Sequence, residues 1–195
     1  GARSYRGGAS EANARVIVSR WRPVSRWIAR FERFSTKYSR LISANCSTPI
    51  EHDGYVFAAS NYGNGGGLAQ ITKEGEKFEA KEVYFTKQMQ NHHGNMVRIG
   101  DHIYGDGGGL LRCIEFKTGK VAWEERTGKG SITCADGQLY FRDEGPGNLY
   151  LVEANPKEFV LKGKFKQPER SGKSAWAHPV VANGRLFLRD QDLIF

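Results

Sequence analysis

The sequence predicts an all-β chain of repeated four-stranded antiparallel units, about three and a half of them, preceded by a basic extension. Three observations predict it. Four short segments repeat one pattern of strand, two-residue turn and strand. The pattern recurs at intervals of 47, 36 and 47 residues, and no helical stripe of apolar residues occurs after residue 48. A fixed supersecondary unit at such a period means a propeller or a solenoid. Four antiparallel strands per unit make a β-propeller blade.

The four segments are Pro49 to Phe57, Met96 to Tyr104, Ile132 to Tyr140 and Pro179 to Phe187. Each ends on an aromatic anchor (Phe57, Tyr104, Tyr140 or Phe187) that follows an aliphatic residue (Val56, Ile103, Leu139 or Leu186). Three and four residues before the anchor stands a turn pair: Asp53-Gly54, Gly100-Asp101, Asp136-Gly137 and Asn183-Gly184. Such pairs supply the left-handed backbone of a tight hairpin. Two further strands complete each full unit. They are Leu68 to Ile71 with Lys77 to Phe85, Leu110 to Phe116 with Val121 to Arg126, and Leu149 to Glu153 with Phe159 to Lys166. Blades are expected near 45–95, 96–128 and 129–174, with residues 175–195 forming the first hairpin of a fourth, truncated one. Propellers close with about four to eight blades. The expected body is therefore an open, incomplete arc, its edges covered by further blades or by self-association.

Charge marks a boundary rather than a partner. The 195 residues carry a formal net charge of +8, and all of the excess lies in residues 1–48. That stretch holds nine Arg and Lys37 against Glu11 and Glu32, while residues 49–195 hold 19 basic and 19 acidic side chains. A nucleic-acid partner is not expected for the propeller body. Residues 24–42 carry a helical stripe of Val24, Trp27, Ile28, Phe31, Phe34, Tyr38, Leu41 and Ile42, with Pro23 at the helix start. Two readings stand for residues 1–44. They are a basic amphipathic helix for an anionic membrane or nucleic acid, or an appended segment foreign to the domain. There is no apolar run of about 18 residues to span a membrane and no signal-peptide pattern. Cys46, Cys113 and Cys134 are isolated, without CxxC, haem or zinc spacing.

The innermost strand of a propeller blade lines the central channel. Eleven residues before the anchors stand Cys46, His93, Lys129 and Trp176; ten before, the small residues Ser47, Gly94, Gly130 and Ala177; nine before, Thr48, Asn95, Ser131 and His178. The small row implies close approach of strands at a crowded rim. His93, Asn95, Lys129, Ser131, Trp176 and His178 are expected to converge at one channel mouth and to bind a ligand there. None of these positions is acidic. His92 and His93, read as neighbours on an extended strand, point to opposite faces. Gly63 to Gly67 and Gly105 to Gly109 lack the GxGxxG and GK[ST] features of phosphate loops. They read as flexible links into the third strands.

The segment Cys113-Ile114-Glu115-Phe116-Lys117-Thr118-Gly119-Lys120-Val121-Ala122-Trp123 resembles AxDxxTGxxxW, the tryptophan-docking motif of pyrroloquinoline-quinone (PQQ) repeats. Cys113 stands where Ala, and Glu115 where Asp, is usual. Asn91-His92-His93-Gly94 and Trp176-Ala177-His178-Pro179 are similar to segments of bacterial PQQ-like propellers of the planctomycete type. The resemblance runs from about residue 45 to 195. Thr118-Gly119 should turn the chain so that Trp123 packs on a neighbouring blade. The resemblance implies a non-catalytic ligand-binding or protein-interaction scaffold, comparable in fold to the outer-membrane assembly lipoprotein class. Its partner would be a protein or a small molecule at the channel mouth. The alternative it implies is part of a quinoprotein dehydrogenase oxidising an alcohol or sugar with PQQ and Ca²⁺. In that case the six rim residues would face the cofactor. The resemblance also implies a periplasmic or exported location.

Overall fold

The computed structural model describes residues 46–75 and 77–195. The basic stretch 1–44, read above as a basic amphipathic helix or a segment foreign to the domain, lies outside the described residues. Among the described residues every regular element is a strand, and no helix there is long and apolar enough to cross a membrane.

The strands form three four-stranded antiparallel sheets, each laid down in chain order. The first holds β1 (Ile50–His52), β2 (Tyr55–Ser60), β3 (Gly65–Glu74) and β4 (Lys77–Thr86). The second holds β5 (Met96–Ile99), β6 (His102–Asp106), β7 (Leu110–Glu115) and β8 (Val121–Arg126). The third holds β9 (Gly130–Ala135), β10 (Gln138–Asp143), β11 (Asn148–Glu153) and β12 (Val160–Lys166). A fourth unit has two short pairs, β13 (Val180–Ala182) with β14 (Arg185–Phe187), and β15 (Arg189–Asp190) with β16 (Leu193–Ile194). Leu188 and Phe195 exchange two backbone hydrogen bonds of 2.9 Å, which extends the second pair back toward β14.

The turn chemistry explains the hairpins. Both central residues have positive φ at Asp53-Gly54 (51° and 74°), Asp136-Gly137 (50° and 71°) and Asn183-Gly184 (51° and 68°). That is the type I′ geometry, whose twist matches the strands it joins. In the reversed pair Gly100-Asp101 only Gly100 is left-handed, at 55°, as a type II′ turn requires. The aromatic anchors then line up across the sheets. Phe57, Tyr104 and Tyr140 stand opposite Leu68, Cys113 and Leu151 on the third strands. Those in turn stand opposite Tyr84, Trp123 and Gly163 on the fourth strands. Directly beyond this row each blade carries one unpaired residue on its outer strand: Val83, Ala122 and Lys162. These are β-bulges, which bend and twist the outer strand.

Apolar cores lie between successive blades. Phe57, Ala59 and Leu68 pack with Met89, Met96, Ile103, Ile114 and Phe116. Tyr104, Leu111, Cys113 and Trp123 pack with Ile132, Leu139, Phe141, Tyr150 and Val152. Trp123 crosses to the next blade as the sequence predicts: its Nε1 donates to the Asn155 carbonyl at 2.7 Å, and its ring packs edge-on against Phe159. Thr118 Oγ1 donates to Glu115 Oε2 at 2.6 Å, and Gly119 takes φ 71° in the turn before it. Glu115 thus makes the turn bond that the shorter Asp would make. In the first blade Tyr84 does the equivalent work. Its hydroxyl donates to the Phe116 carbonyl at 2.9 Å, and its ring fills the space a Gly119 side chain would need.

One expectation is corrected. Gly65 to Gly67 are not a flexible link; they are buried residues of β3, all paired with β2, and Gly66 and Gly67 also with β4. A side chain at Gly66 would collide with the Phe57 ring, and one at Gly65 with the Thr86 carbonyl. The glycines are there to let strands and ring close together. The third strand of the first blade therefore starts three residues before Leu68.

Candidate functional site: an aromatic and charged rim

The chain brings all six expected rim residues to one place, at the entry to the first strands. His93 and Asn95 precede β5, Lys129 and Ser131 flank the start of β9, and Trp176 and His178 precede β13. The small row between them is crowded: a side chain on Gly94 would run into the Gly130 carbonyl. The Ile132 amide donates to the Gly94 carbonyl at 3.0 Å, so the second and third blades are stitched directly together there.

Four rings form a continuous ladder over this rim. Tyr62 lies 5.2 Å from His92, His92 lies 4.6 Å from His93, and His93 lies 5.3 Å from Trp176, between ring centroids. The ladder runs from Tyr62 of the first blade through the loop that enters the second to Trp176 at the start of the fourth unit. Its outer rings are the open ones, with Tyr62 54% and Trp176 59% exposed. Their neighbours fix them. His178 Nε2 donates to the His93 carbonyl at 2.8 Å, and Ser131 Oγ donates to the Trp176 carbonyl at 3.3 Å.

His92 and His93 do not point to opposite faces, contrary to the reading from sequence. Residues 91–95 are irregular rather than extended, so strand alternation does not apply. Asn91 causes this. It is fully buried; its Nδ2 donates to the carbonyls of Asn95 (2.8 Å) and Asp106 (3.0 Å), while its Oδ1 accepts from Ser47 Oγ (2.7 Å). Asn95 has φ 62°, the left-handed backbone that Asn tolerates better than most residues.

Charge at the rim is paired internally. Lys129 Nζ donates to His92 Nδ1 at 2.8 Å and lies 3.3 Å from Glu144 Oε1. Glu144 Oε2 is 3.0 Å from His93 Nε2, without the alignment of a hydrogen bond. Burial first, then Lys129, lowers the His92 pKa, against the pull of Glu144. Burial also lowers that of His93, and Glu144 only partly offsets it. Both imidazoles are thereby held in the neutral form at neutral pH. Asp106 faces the same group of charges. Burial pushes its carboxyl up to about 6, despite the Gly109 amide and Lys129. Several polar atoms here are buried without a hydrogen-bond partner: His93 Nδ1, Asn95 Oδ1 and Asp106 Oδ2. Unmet acceptors of this kind call for a donor from water or from a ligand.

Sequence reasoning missed Glu144, Asp106, Asn91, Tyr62 and the part played by His92. Glu144 was discoverable. Gly130 pairs with Asp143, and the next step outward sets Glu144 against Lys129, where the Glu144 amide donates to the Lys129 carbonyl at 2.9 Å.

The rim residues do not fit PQQ. A polycarboxylate quinone needs unpaired cations, and Lys129 is already committed to Glu144 and His92. Among the described residues, no three His, Cys, Asp or Glu side chains are placed to hold a metal ion such as Ca²⁺.

No family model and no curated protein matches the chain. Solved structures do. The crystal structure of BamB from Moraxella catarrhalis matches 76% of this chain at 16% identity with a TM-score of 0.54. The β-propeller domain of Myceliophteria thermophila Cps50 (Swd1) matches 60% of it at 17% identity with a TM-score of 0.39. The chain spans 41% of the first protein and 44% of the second. At this level of identity the likeness to the first concerns the fold: residues 46–195 are an arc of β-propeller blades.

Proposed function

We propose that this propeller arc is an interaction scaffold of PQQ-like type, and that its rim docks a segment of a partner protein. The observation that carries the reading is the Tyr62–His92–His93–Trp176 ladder, with open rings at both ends. Exposed Trp and Tyr give large contact area at small entropic cost, and they dominate binding energy where they are clustered. The internal neutralisation of Lys129 by Glu144 disfavours strongly anionic ligands. By the same resemblance, the place of action is outside the cytoplasm.

The test selects peptides on the full chain from a displayed random library and measures their affinity by calorimetry. Trp176→Ala and Tyr62→Ala are each expected to weaken binding at least tenfold, in line with hot-spot aromatics. Leu161→Ala, an exposed apolar residue on the outer strand β12 at the other end of its sheet, should leave it unchanged. Peptides that bind Trp176→Ala and Tyr62→Ala as tightly as the parent would place the contact surface elsewhere. Titration with PQQ and Ca²⁺ should give no saturable change in quinone absorbance.

A further inference from the structure

The two middle rings of the ladder can each take a second proton, and the rim has no place for either. His92 Nδ1 accepts from Lys129 Nζ at 2.8 Å. A proton on that nitrogen sets two cationic donors against each other, so His92 charges only if it parts from Lys129. In His93 the Glu144 carboxylate, 3.0 Å from Nε2, favours the neutral ring with its proton on that side. Nδ1 is then bare, and it is buried without a hydrogen-bond partner. The imidazolium would put a charged N–H there with no acceptor, which costs more than an unmet lone pair. The two ring centroids are 4.6 Å apart, so two imidazoliums would also repel each other.

The surrounding charges do not absorb the added protons. Lys129, just before β9, and Glu144, just after β10, face both rings. His178 faces His93 from before β13, and Tyr62 lies against His92 from the turn between β2 and β3. Glu144 is thus the one carboxylate facing both rings, and Lys129 already shares it. Asp106, at the end of β6, faces Lys129 and Glu144. Its carboxyl, at about 6, loses its charge in the interval where histidines gain theirs. Acid therefore adds positive charge to this group and removes negative charge from it. A segment seated on the ladder strips water from the same two rings, and burial penalises the charged form of histidine.

We infer that seating on the ladder and protonation of His92 and His93 exclude each other, so that the rim holds its partner at neutral pH and releases it in mild acid. This regulation rests on the docking reading given above. By linkage, each proton that docking excludes makes the affinity fall with pH.

The test selects peptides on the full chain at pH 7.5 and keeps those that lose affinity with Trp176→Ala. Peptides containing His, Asp or Glu are set aside, so that the ligand itself does not titrate. Affinity is expected to be about tenfold weaker at pH 5.0 than at pH 7.5. In the full chain carrying His92→Gln and His93→Gln the two affinities should be nearly equal. A flat response in the parent, or an undiminished one in the double variant, would overturn the inference and leave the docking site standing. Peptides indifferent to Trp176→Ala would remove the docking reading, and this inference with it. A second measurement needs no histidine variant: the imidazole resonances of the full chain are titrated by NMR. Bound peptide is expected to weaken proton binding at His92 and at His93 about threefold each. Without peptide, Lys129→Gln should move the His92 midpoint to higher pH. Midpoints that ignore the peptide, or a His92 midpoint that ignores Lys129→Gln, would count against the inference.

Discussion

At position 106 a carboxylate sits where a carboxylate is costly. Asp106 is 1% exposed; its Oδ1 accepts from the Gly109 amide at 2.6 Å and its Oδ2 from nothing. Burial raises its folded pKa from 3.8 to about 6. Below about pH 4 both folded and unfolded chains carry the proton, and there is no difference between them. Between about 4 and 6 only the unfolded chain ionises, so stability falls as pH rises, and above about 6 the whole cost is present. At about 1.4 kcal/mol per pH unit that cost is at most about 3 kcal/mol. Asp106→Asn keeps an acceptor for Gly109 and removes the charge. It is expected to stabilise the fold by about 1–3 kcal/mol at pH 7.5 and to do nothing at pH 3.5, by urea unfolding. An equal effect at both pH values would contradict this. His92 and His93 act in the opposite sense. Their lowered pKa values remove stability as pH falls through the ordinary histidine range. The six rim residues were legible because they share one register with the anchors. Glu144 was overlooked because the count followed only the first strand of each hairpin, and Glu144 lies one residue beyond the end of the second. His92 was misread because Asn91 breaks the strand that alternation assumes.

The fourth strands carry the docking between blades. Trp123→Phe keeps a ring against Tyr104 and Phe159 but loses the bond to Asn155, so about 1 kcal/mol should go. Trp123→Ala also leaves a cavity and should cost about 3–5 kcal/mol. Chemical unfolding of the two variants checks both values; equal losses would mean that the ring packing contributes little. Tyr84 shows what the sequence concealed. A search for Thr-Gly-x-x-x-Trp finds the second blade alone, yet the structure repeats the function with a different ring and without the motif. Hairpins were the most legible elements, since Asp-Gly and Asn-Gly pairs dictate their own geometry. Strand ends were the least, because the glycines opening β3 read as a loop until the Phe57 ring is seen against them.

Over the whole arc the joints between units change in character. The first two use a ring and a carbonyl. At the third, Gly163 occupies the place of Tyr84 and Trp123, and an ionic knot takes over. Arg142 is 1% exposed and donates to the Arg189 carbonyl at 2.6 Å and to Gln167 Oε1; its Nη2 lies 3.7 Å from Asp190 Oδ2. Arg170 Nε is 2.6 Å from the same oxygen, and Ser171 Oγ donates to Asp190 Oδ1 at 2.6 Å. Burial alone would raise the Asp190 carboxyl, but Ser171 and Arg170 outweigh it and hold it below the usual range. Asp190→Asn leaves two guanidinium groups without their counter-charge, so a loss of about 3–5 kcal/mol is expected, centred on this joint. Limited proteolysis should then cut within residues 170–195 while β1 to β8 stay protected. Uniform cleavage along the chain would show that the knot does not act locally. The arc could be counted from the spacing of its turns; the change of joint could not, because it rests on side chains from residues 142 and 190, far apart in the sequence.

The single unpaired residue on each outer strand has a further consequence. Were β8 continuous, Cys113 would stand opposite Ala122, and Trp123 would fall on the reverse side of the sheet. Were β4 continuous, Tyr84 would turn the same way. The inserted Val83 and Ala122 therefore aim the two docking rings forward along the chain. They give these two joints one polarity, the ring of the first blade reaching the second and that of the second reaching the third.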